Sequence, residues 1–362
     1  MKRINTTIEF NLNLGKIEKF LTNNAASLVL VLLVLLSVIS FYIFLENGLG
    51  IAYNDARSHL DIGRRVVEGL KPGLAQLGSV WLPLTHMLMI PTIWNDFWWH
   101  SGLSGAVPSM IAYVLTGLII YRFLEKINVG LYGRVIGTLV FALNLNILYL
   151  QSTAMTELVL LGTMTAGVYY LLFWAVNKKI TDLILCAFFV FLSTLVRYDG
   201  WFLLVVSAVI CAILSYRNFG KKSVEGVVIF YLTLSGLGII LWLLWNLLIF
   251  GDPLYFAFGP YSARAQQEQL EHAGVLATKG NLLLSAKIYF FALVYNSGAL
   301  NVILAAVGAS ILWLDKKLPF NVKLASLGLL APLVFNIIAL FFGHSVLFIQ
   351  GLSGNTWFNV RY

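Results

Sequence analysis

Residues 28–45 read LVLVLLVLLSVISFYIFL, eighteen consecutive residues without a charged side chain. An apolar stretch of this length is long enough to cross a bilayer as a single helix. The other residues have a similar character, because 59% of the 362 residues are hydrophobic, 11% are charged and the mean hydropathy is +0.85. A soluble domain carries roughly 25% charged residues. The sequence therefore predicts an all-α polytopic membrane protein and excludes soluble, disordered and disulfide-rich secreted classes.

Similar apolar stretches recur along the whole chain, and the sequence predicts about nine transmembrane helices. They lie near residues 28–45, 104–124, 133–151, 157–176, 181–196, 200–216, 227–250, 287–313 and 323–348. We expect four parts: an N-terminal segment 1–27, a transmembrane module 28–250 containing loop 46–103, a loop 251–286, and further transmembrane helices in 287–362.

The distribution of Lys and Arg predicts the orientation of these helices. With the N-terminus in the cytoplasm, the inner segments hold 15 Lys and Arg residues against 6 acidic ones. The outer segments then hold 9 Lys and Arg residues against 10 acidic ones. The two longest loops also fall outside. We therefore expect a multi-pass protein of the cell membrane whose chemistry takes place on the extracytoplasmic side.

The first outer loop, residues 46–103, contains a predicted amphipathic helix over 55–70. It is too short and too charged to span, so an interfacial position is expected. Asp55 stands at its start and has two interpretations, because Asp is a favoured helix N-cap and is also a candidate general base. Sequence spacing leaves both open.

Short motifs in this loop resemble a known family. They are Asn54-Asp55-Ala56, His59, Pro72-Gly73 and Trp81-Leu82-Pro83-Leu84, all after one leading span. In this pattern the chain is similar to integral-membrane glycosyltransferases of the C-type (GT-C) fold, above all the bacterial and archaeal branch related to protein O-mannosyltransferases and aminoarabinose transferases (glycosyltransferase family 39-like).

The resemblance implies a function and a set of site residues. These enzymes transfer a sugar from a polyprenyl-phosphate carrier to an acceptor outside the cytoplasm, with inversion, and Asp55 matches their essential loop Asp. Glu157 then becomes a second catalytic candidate, and His59 a substrate contact. The chain differs from many relatives in having Ala56 where they have a second acid. It also lacks their Lys-Pro-Pro-Leu segment, which leaves the ligand of the donor phosphate unassigned.

Other polar residues on the same side have both structural and functional interpretations. Glu157 at a helix start is favourable to the helix dipole, or faces the cavity that contains Asp55. Arg197 and Asp199 form an ordinary turn, or direct a guanidinium at a phosphate. Arg264 belongs to a solvated amphipathic helix, or contacts the donor phosphate. Each of these pairs stays open from the sequence.

Arg361-Tyr362 matches an Arg-Tyr pair that the resembled family carries near an outer helix end. Family members usually continue with further spans beyond that pair, so we expect more helices after residue 362. His344, also near an outer helix end, is interpreted as an interface histidine.

The expected partners are a polyprenyl-phosphate-linked sugar, a lipid, glycan or protein acceptor and membrane lipids, with no nucleic acid. No cofactor is required, and no metal site is predicted, although some relatives use a divalent ion. The sequence shows no Walker A, dinucleotide-binding, zinc or nucleophile-elbow motif. The alternatives are a secondary transporter, which would show internal repeats with interrupted helices, and a non-catalytic cell-envelope assembly protein.

Overall fold

The computed structural model describes residues 14–274, 276–349 and 351–352, and in this part of the chain helices are joined by turns and loops, without a strand. The helices are α1 Leu14–Glu46, α2 Asn54–Val67, α3 Leu84–Ile93, α4 Asp96–His100, α5 Leu103–Lys126, α6 Leu131–Ala142, α7 Leu145–Gln151, α8 Glu157–Asn177, α9 Ile180–Thr194, α10 Asp199–Phe219, α11 Lys221–Ser235, α12 Leu237–Phe250, α13 Tyr255–Phe258, α14 Ala263–His272, α15 Leu282–Ser297, α16 Ala299–Leu314, α17 Phe320–Ser326 and α18 Ala331–Phe341.

By length and apolarity, the described residues contain five to eight candidate membrane spans, which confirms a multi-pass membrane protein. Five are continuous helical stretches: Thr22–Glu46 within α1, α5, α8, α10 and Phe320–Phe341 across α17 and α18. Three more are bent pairs, α6 with α7, α11 with α12 and α15 with α16.

Eight of the nine predicted spans correspond to these candidates. The ninth, 181–196, is the apolar helix α9, whose 15 residues fall short of the length that marks a candidate span. The predicted span 287–313 is not straight, because α15 and α16 meet at an angle of 109°. Hydropathy reports how many consecutive residues are apolar. A bend at one residue does not change that number, so the hydropathy pattern does not detect it.

Helix α8 lies at the centre of the core, packed against α5 and α9. Small residues allow these close approaches. A Cβ added to Gly105 of α5 would lie 2.3 Å from the Cβ of Ala154, just before α8. A Cβ added to Gly167 would lie 2.9 Å from Val190 of α9. This packing fixes the position of Glu157, the first residue of α8.

The loop of residues 46–103 contains α2, α3 and α4, and the predicted amphipathic helix is confirmed as α2, which ends at Val67. The spacing predicts a buried face of Ala56, Leu60, Gly63, Val67 and Leu70. The first three are buried, whereas Leu70 lies beyond the end of the helix and is exposed. On its other face Arg64 pairs with Glu68 and, at 2.7 Å, with Asp96. These charged contacts hold α2 against α4.

The loop 251–286 contains α13 and α14. The predicted amphipathic helix is confirmed as α14, and the side chain of Ser262 accepts a hydrogen bond from the Ala265 N–H at its start. Apart from this cap, α14 is mostly exposed. It therefore forms a polar surface helix.

Candidate functional site

Arg197 joins the starts of two core helices. Its Nη1 lies 3.3 Å from Glu157 Oε1 at the start of α8, and its Nε lies 3.3 Å from Asp199 Oδ2 at the start of α10. Nη1 also donates a hydrogen bond to the hydroxyl of Thr156 at 3.3 Å. Both acids occupy first turns, where the helix dipole favours a negative charge. We call Glu157, Arg197 and Asp199 the ion-pair cluster.

The ion-pair cluster is largely removed from solvent. The side chains of Glu157, Arg197 and Asp199 are 13%, 22% and 7% exposed. Two carboxylates face one guanidinium, so the three side chains carry a formal charge of −1. In addition, Glu157 Oε2 is buried without a hydrogen-bond partner. A buried polar atom without a partner is costly, so this oxygen is suited to accept a hydrogen bond from a ligand.

Two residues that sequence reasoning missed extend this cluster. Asn336 of α18 donates from Nδ2 to Asp199 Oδ1 at 3.5 Å and to the Pro332 carbonyl at 2.8 Å. Tyr289 of α15 lies close enough to interact with the Asn336 side chain and, electrostatically, with Asp199. The only available signal was a polar side chain inside an apolar stretch, which by itself does not identify a partner.

Asp55 is not the N-cap of α2, so the capping interpretation is wrong. The cap position belongs to Tyr53, which makes no side-chain cap hydrogen bond, and Asp55 lies in the first turn. The Asp55 side chain is half-buried. The ring of Tyr53 lies 6.0 Å from that of Tyr149 in α7, whose hydroxyl donates to the Leu49 carbonyl at 3.1 Å. Aromatic contacts therefore anchor the start of α2 to the helical bundle.

The loop of residues 46–103, which contains Asp55, is hydrogen-bonded to the turn that contains Arg197. The backbone N–H of Leu84 donates to the Leu195 carbonyl at 3.0 Å. The Tyr198 hydroxyl donates to the Val80 carbonyl at 2.9 Å. The loop that contains the predicted base is thus attached, through Val80 and Leu84, to the turn that contains Arg197.

His59 forms a buried pair with His86 of α3. Its Nδ1 lies 2.8 Å from His86 Nε2, and its ring packs against Trp81 with 4.4 Å between centroids. The rings are 4% and 0% exposed. The structure thus shows His59 joining α2, α3 and the segment between them, and its contact with substrate remains a prediction.

Among the described residues, Arg264 makes no contact with the ion-pair cluster. Arg264 is exposed, pairs with Glu268 at 3.1 Å and lies 5.4 Å from the centroid of Phe258. This geometry fits the solvated-helix interpretation. His344 Nδ1 lies 3.3 Å from Gln267 Oε1, which joins the end of α18 to α14. Arg361 and Tyr362 lie outside the described residues.

Among the described residues, no three His, Cys, Asp or Glu side chains are arranged to hold a metal ion. In the ion-pair cluster, the position between the two carboxylates is taken by the guanidinium of Arg197. The described part of the chain therefore offers no preformed metal centre.

No protein-family model matches this chain, and no curated protein or solved structure matches it significantly. The resemblance to GT-C enzymes thus stands on the loop motifs alone.

The His59–His86 pair predicts a pH dependence of stability. Burial, then His59 and Arg65, lower the pKa of His86 to about 3, with a weak opposing contact to the Leu82 backbone. The unfolded chain binds a proton near the ordinary pKa of about 6.5. The contribution of His86 to the free energy of unfolding is therefore complete above pH 6.5. It declines by about 1.4 kcal/mol per pH unit as the pH falls from 6.5 toward 3.

The measurement is thermal unfolding in detergent between pH 7 and pH 4, for the unmodified protein and for His86→Gln. We expect the Tm of the unmodified protein to fall more steeply, because the glutamine side chain of the variant does not titrate. Parallel Tm curves would contradict a buried neutral histidine at this position.

Proposed function

We propose that the protein is a membrane glycosyltransferase that moves a sugar from a polyprenyl-phosphate donor to an acceptor on the extracytoplasmic side, with inversion. The observation that carries this proposal is the attachment of the Asp55 loop to the Arg197 turn, through the Leu84–Leu195 and Tyr198–Val80 hydrogen bonds. Glycosyl transfer needs a general base and groups that orient the substrate. In this proposal Asp55 is the base, and the ion-pair cluster orients the substrate. The polyprenyl tail of such a donor remains in the bilayer while its phosphate-sugar head reaches this end.

Asp55 is the general base in this proposal. Its carboxylate takes the proton from the acceptor hydroxyl or amine as that group attacks the anomeric carbon. The attack comes from the face opposite the phosphate, so the configuration inverts. The bond between the anomeric carbon and the phosphate oxygen breaks, and polyprenyl phosphate leaves with the bonding electrons.

The ion-pair cluster orients the substrate. Glu157 Oε2 is the buried oxygen without a partner, and we assign it to accept a hydrogen bond from a sugar or acceptor hydroxyl. Arg197 already faces two carboxylates, and their negative charges weaken its attraction for a third anion such as the donor phosphate. It therefore acts chiefly as a positioning residue for Glu157, and its contact with the donor phosphate is secondary.

The test supplies the purified full-length protein in nanodiscs with a panel of polyprenyl-phosphate sugars and candidate acceptors. The readout is release of free polyprenyl phosphate, with an equal amount of an unrelated polytopic protein as control. We expect acceptor-dependent release from at least one donor. Absence of release across sugars, prenol lengths and the lipid, glycan and protein acceptors would contradict the proposal.

A secondary transporter is the second candidate, because the structure contains three bent helix pairs. Interrupted helices are typical of transporter binding sites. The acidic side chains of the ion-pair cluster lie at helix starts, however, and they are not at these breaks. Donor-independent uptake of a solute into proteoliposomes would favour this second function.

A further inference from the structure

Two of the bent helix pairs meet at their breaks. Helices α6 and α7 are bent by 62° across Leu143 and Asn144. Helices α15 and α16 are bent by 109° at Gly298, whose φ of +84° lies in a region that favours glycine. Although 150 residues separate them in sequence, these breaks are neighbours in space.

Amide side chains connect the two breaks. Asn144 Nδ2 donates to the Asn296 carbonyl at 3.0 Å, and Asn146 Nδ2 donates to Asn296 Oδ1 at 3.2 Å. Asn144 also caps α7, because its Oδ1 accepts from the Ile147 N–H at 3.0 Å. Each amide nitrogen carries two N–H groups, and these bonds use one from each. Both nitrogens thus retain a donor for a ligand.

A groove with a volume of ≈ 530 Å³ lies between the two breaks. Ligand pockets generally measure about 300–1,000 Å³. One side of the groove is apolar, and its residues are strongly exposed to the surroundings, with Ile136 61%, Val140 44% and Leu143 53% exposed. In a multi-pass membrane protein such exposed apolar side chains face lipid. The lining residues are Ile136, Leu139, Val140, Leu143, Asn144, Leu145, Asn146, Tyr295, Asn296, Ser297, Gly298 and Asn301.

No charged side chain is present in this lining. The groove therefore offers hydrocarbon contact and neutral amide donors, with no cation to balance a phosphate. An anionic head group would lose hydration here without gaining a partner. An ester carbonyl, in contrast, accepts one hydrogen bond from an amide and needs no counter-charge. The chemistry of the lining thus selects an uncharged polar group attached to a long chain.

We propose that this groove is a binding site for one acyl chain of a bilayer glycerolipid, with the ester carbonyl accepting hydrogen bonds from Asn144 and Asn146. Irregular backbone at membrane depth is tolerated where it is buried in protein or lines a polar cavity. A bound ester covers the two breaks and keeps α15 and α16 in their bent arrangement. The site is separate from the ion-pair cluster and does not depend on the proposed transferase activity.

The test uses the whole protein in dioleoylphosphatidylcholine vesicles that contain a diacylglycerol with a diazirine on one acyl chain. After photolysis, mass spectrometry locates the labelled peptides. We expect labelling concentrated on α6 and on the α15–α16 bend. Labelling spread over all lipid-facing helices in proportion to their exposed apolar surface would overturn the proposal.

A matched pair of variants tests the position of the chain. Val140→Trp fills the groove, whereas Val209→Trp adds the same bulk on α10, where Val209 is 54% exposed and outside the lining. We expect the first variant to abolish labelling of the α15–α16 bend and the second to leave it unchanged. Equal labelling in both variants would overturn the assignment.

Two further measurements test the polar end of the site. Asn146→Leu should weaken binding of the labelled diacylglycerol roughly fivefold, the factor for one net hydrogen bond. Unchanged binding would show that the amides do not contact the lipid. Equimolar polyprenyl phosphate should leave the labelling unchanged, because the groove holds no cation for its phosphate. Displacement by that compound would assign the groove to a prenyl donor and overturn the glycerolipid proposal.

Discussion

Asp55→Asn is expected to lower release of polyprenyl phosphate by roughly 10²–10⁴-fold, the usual contribution of a general base. The amide has nearly the same shape as the carboxylate but does not accept the acceptor's proton. The fold should survive, because Tyr53 and not Asp55 holds the cap position of α2. Removing a negative charge from a first turn costs about 0.3–1 kcal/mol. The measurement is single-turnover release of polyprenyl phosphate, with Tm recorded on the same sample.

Asp61→Asn is the matched control for this prediction. Asp61 lies on the same helix, is exposed, and accepts a hydrogen bond from Trp99 Nε1 at 3.2 Å. It has no assigned role in the reaction, so its replacement should leave turnover close to that of the unmodified protein. If both variants kept the activity of the unmodified protein, Asp55 would have only a structural role. Equal losses would instead indicate damage to the loop as a whole.

Arg197→Met is expected to lower the free energy of unfolding by about 3–5 kcal/mol, the usual cost of leaving a buried charge without its partner. The substitution leaves Glu157 and Asp199 facing each other without the guanidinium that joins them. Asn336 still donates to Asp199, so Glu157 should account for most of the loss. Chemical unfolding in detergent at pH 7 measures the effect.

Two comparisons separate this ion-pair cluster from an ordinary surface pair. Arg264→Met removes the exposed pair with Glu268, in which both side chains are more than half exposed, and should cost less than about 1 kcal/mol. Adding Glu157→Gln to Arg197→Met should recover part of the lost stability, because one of the two unbalanced charges is then removed. Equal losses for the two arginine variants would contradict a buried cluster at the start of α8.

The amphipathic helix α2 shows what local sequence is able to specify. The spacing of Ala56, Leu60 and Gly63 predicts the helix and the centre of its buried face, because helical periodicity is a property of neighbouring residues. It also placed Leu70 on that face, which lies beyond the end of the helix and is exposed. The same spacing did not identify the cap, since the helix begins at Asn54, two residues before the start that would make Asp55 the cap. The partner of His59 was also unpredictable, because it reaches α2 from another helix.

The sequence by itself determined that this is a helical, multi-pass membrane protein. The length of an apolar stretch and its lack of charge are local properties, and they decide whether a segment is stable in a bilayer. It also identified Glu157, Arg197 and Asp199 as polar residues at helix ends. Only the tertiary structure decided that the three form one cluster, because Glu157 and Arg197 are 40 residues apart and meet only when α8 and α10 pack. Asn146 and Asn296, beside the two breaks, likewise became neighbours through packing, since no sequence period relates residues 150 positions apart.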